Sequence, residues 1–252
     1  MLAFHNDPAL KAKYQARLAA HHAADDIIKG EYGKAGGKSG WRGCAVGCTL
    51  HSNNHRNAEA EIGVPESLMQ LDDTLFENLP EEDSPQWAVD FLNAIPVGAD
   101  LSLVASGFML WVLSDPQFGS RQFADAAGQS VTDTVIALYR RRLAGDEPAK
   151  EEWNTGRDAT RAAHDAAYDA AHDAAHDAAH AARDAAYAVV CAVGGAGDAA
   201  CTAAYAAARA AAYTANAADG VACANVNVFW QSAKKNLLQL LKDAPVPVGL
   251  AN

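Results

Sequence analysis

The chain has 252 residues, half of them hydrophobic and one in five charged, enough apolar mass to bury a substantial core and too much for a disordered chain. A net charge of -11 argues against nucleic acid as the main partner, because phosphate neutralisation needs clustered Lys and Arg. No apolar run reaches the roughly eighteen residues of a membrane span and the start lacks the order of a secretory signal, so a cytoplasmic protein without membrane contact is expected, its five cysteines reduced.

The charge is uneven. Residues 1 to 56 hold eight Lys and Arg against four Asp and Glu, so a basic amino-terminal region precedes an acidic remainder. Asp7 and Pro8 form an N-cap and first-turn pair, and Leu10, Tyr14, Leu18 and Ile27 keep helical spacing, which predicts a helix over 8–29. GEYGKAGGKSG, Gly30 to Gly40, has five glycines and no periodicity, and reads as a loop whose backbone can approach a ligand or another chain closely. From Trp41 or Gly43 the pattern turns helical, stopping near Asn53 and Asn54 or continuing to Glu61 before Gly63-Val64-Pro65.

ESLMQLDDTLFENL and SPQWAVDFLNAI read as amphipathic helices, the second opened by Ser84-Pro85 and closed by Pro96. ADLSLVASGFMLWVL is apolar nearly all round and too short for a bilayer, so it is expected as a buried central helix. SVTDTVIALYRRRLAG begins on a capping-box-like Ser130 and Asp133 and ends on Arg140 to Arg142, where cations suit the helix dipole. No segment alternates as a strand does.

Composition then shifts to alanine. RDATRAAHDAAYDAAHDAAHDAAHAARDAAYAVVCAV, the break GGAG and DAACTAAYAAARAAAYTANAADG predict an antiparallel helical hairpin. Its large residues, Arg157 to Cys191, step at a mean near 3.8 residues, a stripe that drifts around the helix and favours a right-handed wrap on a partner. His172, His176 and His180 could chelate pairwise, but an Asp one position after each histidine points about 100° away, so packing is the preferred reading. A helix over Val226 to Lys242 is expected to dock back on the core, with a loose tail behind. The fold expected is all-α, about six to seven helices with the alanine-rich hairpin, divided as 1–150, 151–224 and 225–252.

WRGCAVGCTLHSNNH concentrates the candidate chemistry. On one continuous helix Cys44, Cys48, His51 and His55 share a stripe, but they span about 16 Å at 1.5 Å per residue, which excludes a single four-ligand zinc. A pair such as His51 and His55 could still bind a metal completed from HHAADD, with His21, His22, Asp25 and Asp26. The Cys-x3-Cys-x2-His spacing lacks the third cysteine of a radical-SAM cluster motif, and GGKSG lacks the leading glycine and preceding strand of a P-loop. What survives is a cradle for a phosphate or carboxylate: Lys34, Lys38, Ser39, Trp41 and Arg42 feeding a helix amino terminus, which would also favour the Cys44 and Cys48 thiolates. Any chemistry there would pair Cys44 or Cys48 as nucleophile with His51 or His55 as base, Glu59 orienting His55.

WRGCAVGCTLH, EIGVP, LDDTLFENLP and AIPVGADLSLV together resemble an uncharacterised family associated with bacteriophages and proteobacteria, often with an alanine-rich region behind. The resemblance covers roughly Gly40 to Leu113 and implies a bacterial or phage-infected host cell, with no activity attached. The expectation is a protein binding a small anionic, nucleotide-like molecule at the loop and Cys/His helix. The competing one is a non-catalytic assembly protein, a homo-oligomer packed through the hairpin. The sequence assigns no cofactor.

Overall fold

Helical periodicity is what the chain folds on. The computed structural model describes residues 1–173, 184, 187, 188 and 222–247, without the side chains of 167–173 and 222–225. Among the described residues the elements are nine α-helices, two short 3-10 helices (Ala3–Asn6 and Ser120–Phe123) and one two-stranded hairpin, so the all-α expectation holds. The helices are α1 (Pro8–Ala23), α2 (Ala45–Leu50), α3 (Asn57–Ile62), α4 (Glu66–Asn78), α5 (Ser84–Ala94), α6 (Val104–Ser114), α7 (Ala126–Leu143), α8 (Lys150–Asp173) and α9 (Ala222–Lys242). None of them is long and apolar enough to cross a membrane. The GGAG break, the return helix and the imidazoles of His172, His176 and His180 lie outside the described residues and side chains, as do the thiols of Cys191, Cys201 and Cys223.

The chain divides into two compact units, Met1–Ala105 with Ala233–Asn252, and Ser106–Ser232. In the first, α1 and α4 both pack on α5, and the short α2 is inserted among α1, α4 and α5. Every residue of α2 is buried. Its small Ala, Gly and Cys side chains permit that insertion, because a bulkier helix could not approach three neighbours at once. The segment from Ala233 belongs to this unit: Lys234 pairs with Asp90 at 3.4 Å, and the Asp100 amide donates to the Pro245 carbonyl at 2.8 Å, so the chain is tied down as far as Pro245. In the second unit α7 and α8 pack on each other, with the Tyr139 and Trp153 ring centroids 5.1 Å apart. Phe229 of α9 packs on Trp111 and Phe118.

Three boundaries differ from the sequence expectation, each for a local reason. α1 opens on Asp7, whose carboxylate accepts from the Ala9 amide at 2.8 Å, as expected, but stops at Ala23 instead of residue 29. Asp25 takes a left-handed conformation (φ 54°) and Asp26 turns its carboxylate away to bind the following loop. α7 starts at Ala126 under Asp125, which accepts from the Gly128 amide at 2.7 Å. Asp133 is no cap; it forms a bidentate pair with Arg121. The glycine segment contains strands β1 (Lys34–Ala35) and β2 (Trp41–Arg42), paired antiparallel with Lys34 opposite Arg42. Two residues each are too few to show alternation, so no strand was legible.

Candidate metal centre

The segment from Trp41 to His55 is not one helix, and this decides what its residues can do. Trp41 and Arg42 are strand, Cys44 is the N-cap of α2, and α2 ends after six residues. His51 closes it in the left-handed region (φ 54°, ψ 44°), its amide bonded to the Gly47 carbonyl. Ser52 and Asn54 then accept amides two residues ahead, Asn54 to Ser52 Oγ at 3.0 Å and Arg56 to Asn54 Oδ1 at 3.3 Å, the side-chain turns that Ser and Asn favour. The chain reverses, and His55 returns to the amino end of α2.

Its Nε2 comes to 3.5 Å from Cys44 Sγ. Asp73, on the second turn of α4, completes a group in which one donor atom from each of Cys44, His55 and Asp73 lies within 4.8 Å of the other two. The thiol is sealed at 1 % exposure, while the imidazole and carboxylate are half-buried. The Gly47 amide points at the sulfur, 3.4 Å away. Asp73 Oδ1 is shut off from solvent without a hydrogen-bond partner, and so is Oδ1 of neighbouring Asp72. Burial, reinforced by Asp73, pushes the Asp72 carboxyl far above the usual carboxylate range. The 16 Å separation that ruled out a shared metal therefore applies to a helix that does not exist, and the stripe of Cys44, Cys48, His51 and His55 is replaced by Cys44 with His55 alone.

Glycines make this possible. A Cβ on Gly47 would run into the Tyr32 carbonyl and one on Gly43 into the Gly33 backbone, so the GCAVGC motif alternates two positions for close backbone approach with two buried sulfurs. Tyr32 thereby reaches the centre, its ring edge-on to His55 at 5.4 Å between centroids. Gly47→Ala is expected to destabilise the protein by about 1 to 3 kcal/mol through overpacking against unyielding backbone; a urea midpoint equal to wild type would show that the contact is dispensable.

The expected anion cradle is filled from within. The Lys38 and Ser39 amides and the Ser39 hydroxyl all donate to the Asp26 carboxylate, at 3.2, 2.7 and 2.6 Å. Lys34 pairs with Glu31 at 2.9 Å and Lys38 with Asp25 at 3.9 Å, both at the exposed surface; Arg42 is exposed. The thiolates are not favoured either: burial raises both thiols, Cys48 to about 12. Cys48 Sγ donates to the carbonyls of Asp26 and Gly43, each at 3.4 Å, which is a packing role. Glu59 does not orient His55; it accepts the Glu66 amide at 3.2 Å. His51 is drawn instead to His21, Nε2 to Nε2 at 2.7 Å, with Trp41 stacked over it at 5.9 Å and 9°. His21 comes from the HHAADD segment that was the expected source of a partner.

The Ser39 hydroxyl first, and then the two amides, hold the Asp26 carboxyl below its usual range. A depressed carboxylate contributes stability that is present above its unfolded value of 3.8 and is lost as pH falls through the lower folded value. Acid should thus release the loop at Ser39 only below pH 3.8. Amide exchange at Ser39 reports this; release at a pH well above that value would contradict it.

Asp73 and Tyr32 were not singled out as site residues by sequence reasoning, and Asp26 was named only as a possible metal ligand, not as the anchor of the loop that it proves to be. Asp72 carried the one readable signal, since it falls on the buried stripe of α4 among Leu68, Leu75 and Phe76, where a carboxylate has no business without a partner. Comparison with models of protein families, with curated proteins and with solved structures returns no match to this chain.

Proposed function

We propose that the protein binds a divalent transition metal of the zinc type through Cys44, His55 and Asp73, and that the metal in turn holds a small anionic ligand. The observation that carries the reading is the convergence of a sulfur, an imidazole nitrogen and a carboxylate from three separate elements within 4.8 Å. Ligand bonds of roughly 2.0 to 2.3 Å in tetrahedral zinc place donors about 3.5 Å apart, the separation already present between Cys44 and His55. The donors need to close by only about 1 Å to grip an ion.

The surroundings fit a cation. The buried Asp73 Oδ1 has no hydrogen-bond partner among the described residues, which suits a cation, and an amide directed at the sulfur stabilises a metal-bound thiolate. A sulfur ligand selects zinc-like ions over magnesium or calcium. Three protein ligands leave a fourth position, and a Lewis-acidic ion with a free position takes an anion. This keeps the small anionic partner expected from the sequence and moves its seat from the loop amides to the metal.

Titration of metal-stripped protein with cobalt(II) tests the reading. One equivalent should bind with the thiolate-to-cobalt absorption band and the intense visible bands of a tetrahedral site, and zinc should displace it. Cobalt that stays octahedral, with no sulfur band, would end the proposal. Addition of phosphate or a carboxylate should then shift the visible bands if the fourth position is open to anions.

A further inference from the structure

A second group of polar side chains, separate from the metal ligands, runs through the same unit as a continuous chain: Asp26, Ser39, His21 and His51. Its contacts are 2.6 Å from Ser39 Oγ to Asp26 Oδ2, 2.5 Å from Ser39 Oγ to His21 Nδ1 and 2.7 Å from His21 Nε2 to His51 Nε2. It begins at a buried carboxylate, passes a buried imidazole and ends on an exposed one.

Donor and acceptor rules fix where the protons lie. An ionised Asp26 only accepts, so the Ser39 hydroxyl proton points to it. Ser39 Oγ can then only accept from His21, which makes His21 the Nδ1–H tautomer and leaves its Nε2 bare. That bare nitrogen needs a donor across 2.7 Å, and His51 Nε2–H supplies it. The tautomer of an imidazole is set by the bond its other nitrogen makes, so the order is transmitted from Asp26 to the surface. Asp26 lies below the usual carboxylate range, and burial holds both imidazoles below theirs, which keeps the acid ionised and the rings neutral at physiological pH.

We propose that Asp26, Ser39 and His21 are positioning residues that hold His51 as the Nε2–H tautomer and present its Nδ1 as a base for a protic substrate, water or a hydroxyl compound. No group among the described residues bonds that nitrogen. The ring is held at the left-handed end of α2 and against the Trp41 plane, a fixed orientation of the kind that costs backbone energy and clusters at functional sites. When Nδ1 accepts a proton, the substrate loses one and His51 gains one; the resulting imidazolium is stabilised through its Nε2–H bond to His21, whose Nδ1–H is held by Ser39 and, behind it, by ionised Asp26, and no bond between heavy atoms changes. The other charged groups acting on the pair are Arg17, which opposes protonation of both rings, and Glu61, which favours it at His51.

Nitrogen-15 NMR of histidine-labelled protein tests the relay, with EDTA present so that the outcome is independent of the Cys44 centre. At neutral pH the wild type should show His21 as Nδ1–H and His51 as Nε2–H, and diethyl pyrocarbonate should acylate His51 at Nδ1. In Ser39→Ala both rings should lose their single tautomer and acylation of His51 should slow by about threefold or more, as expected when a base loses its hydrogen-bonded support. Ser39→Thr, which keeps the hydroxyl, should restore both. A wild-type His51 in the Nδ1–H form overturns the proposal even if Ser39→Ala fails to fold, as does a Ser39→Ala protein with unchanged tautomers and acylation rate.

Discussion

Replacing Cys44 with serine is expected to weaken cobalt(II) binding by at least about 100-fold, beyond the 10- to 100-fold typical of losing a residue behind the ligands, and to abolish the sulfur-to-metal band. His55→Ala should weaken binding to a similar degree while keeping the sulfur band in whatever complex still forms, since only the imidazole is lost. Cys48→Ser is the control. Its sulfur bonds carbonyls of Asp26 and Gly43, a role a hydroxyl can fill, and cobalt affinity should stay within about threefold of wild type. The pattern separates a metal centre from the Cys/His nucleophile pair that the motif first suggested. A Cys44→Ser protein that binds cobalt as wild type does would remove Cys44 from the ligand set and leave no centre to defend.

Trp87→Ala is expected to cost about 3 to 5 kcal/mol, roughly a fifth or more of the whole stability of an ordinary domain. The indole is fully buried, lies 5.6 Å from Phe91 and donates to the Asp72 carbonyl at 3.0 Å. Truncation leaves a cavity between α4 and α5 and removes the indole's bond to the Asp72 carbonyl. Urea unfolding measures the loss, and because Asp73 rides on the same turn of α4, cobalt affinity should fall as well. Stability unchanged within 1 kcal/mol would mean that α4 is not held by this contact.

Much of the fold was readable because helices announce themselves through spacing. Leu68, Leu71, Leu75 and Phe76 are all buried on α4, and Trp87, Phe91 and Leu92 on α5, as a 3.6-residue period requires. The Asp7-Pro8 start was legible for the same reason: a cap acts within one turn. What failed were features depending on distant partners. Asp26 ends its helical run to capture Lys38 and Ser39, and Asp133 gives up a cap for Arg121. A short-range pattern cannot report a choice between two partners.

The candidate site divides along the same line. Composition and spacing alone established the class of fold, the concentration of Cys and His between Trp41 and His55, and HHAADD as the segment able to meet it. Only tertiary packing decided which groups converge. One left-handed residue at His51 turns the chain so that His55 meets Cys44 and Asp73 while His51 meets His21. A single backbone angle at the end of a helix redirects everything after it, and its energy differs from the helical alternative by about 1 to 2 kcal/mol, which the burial of α2 among α1, α4 and α5 readily outweighs.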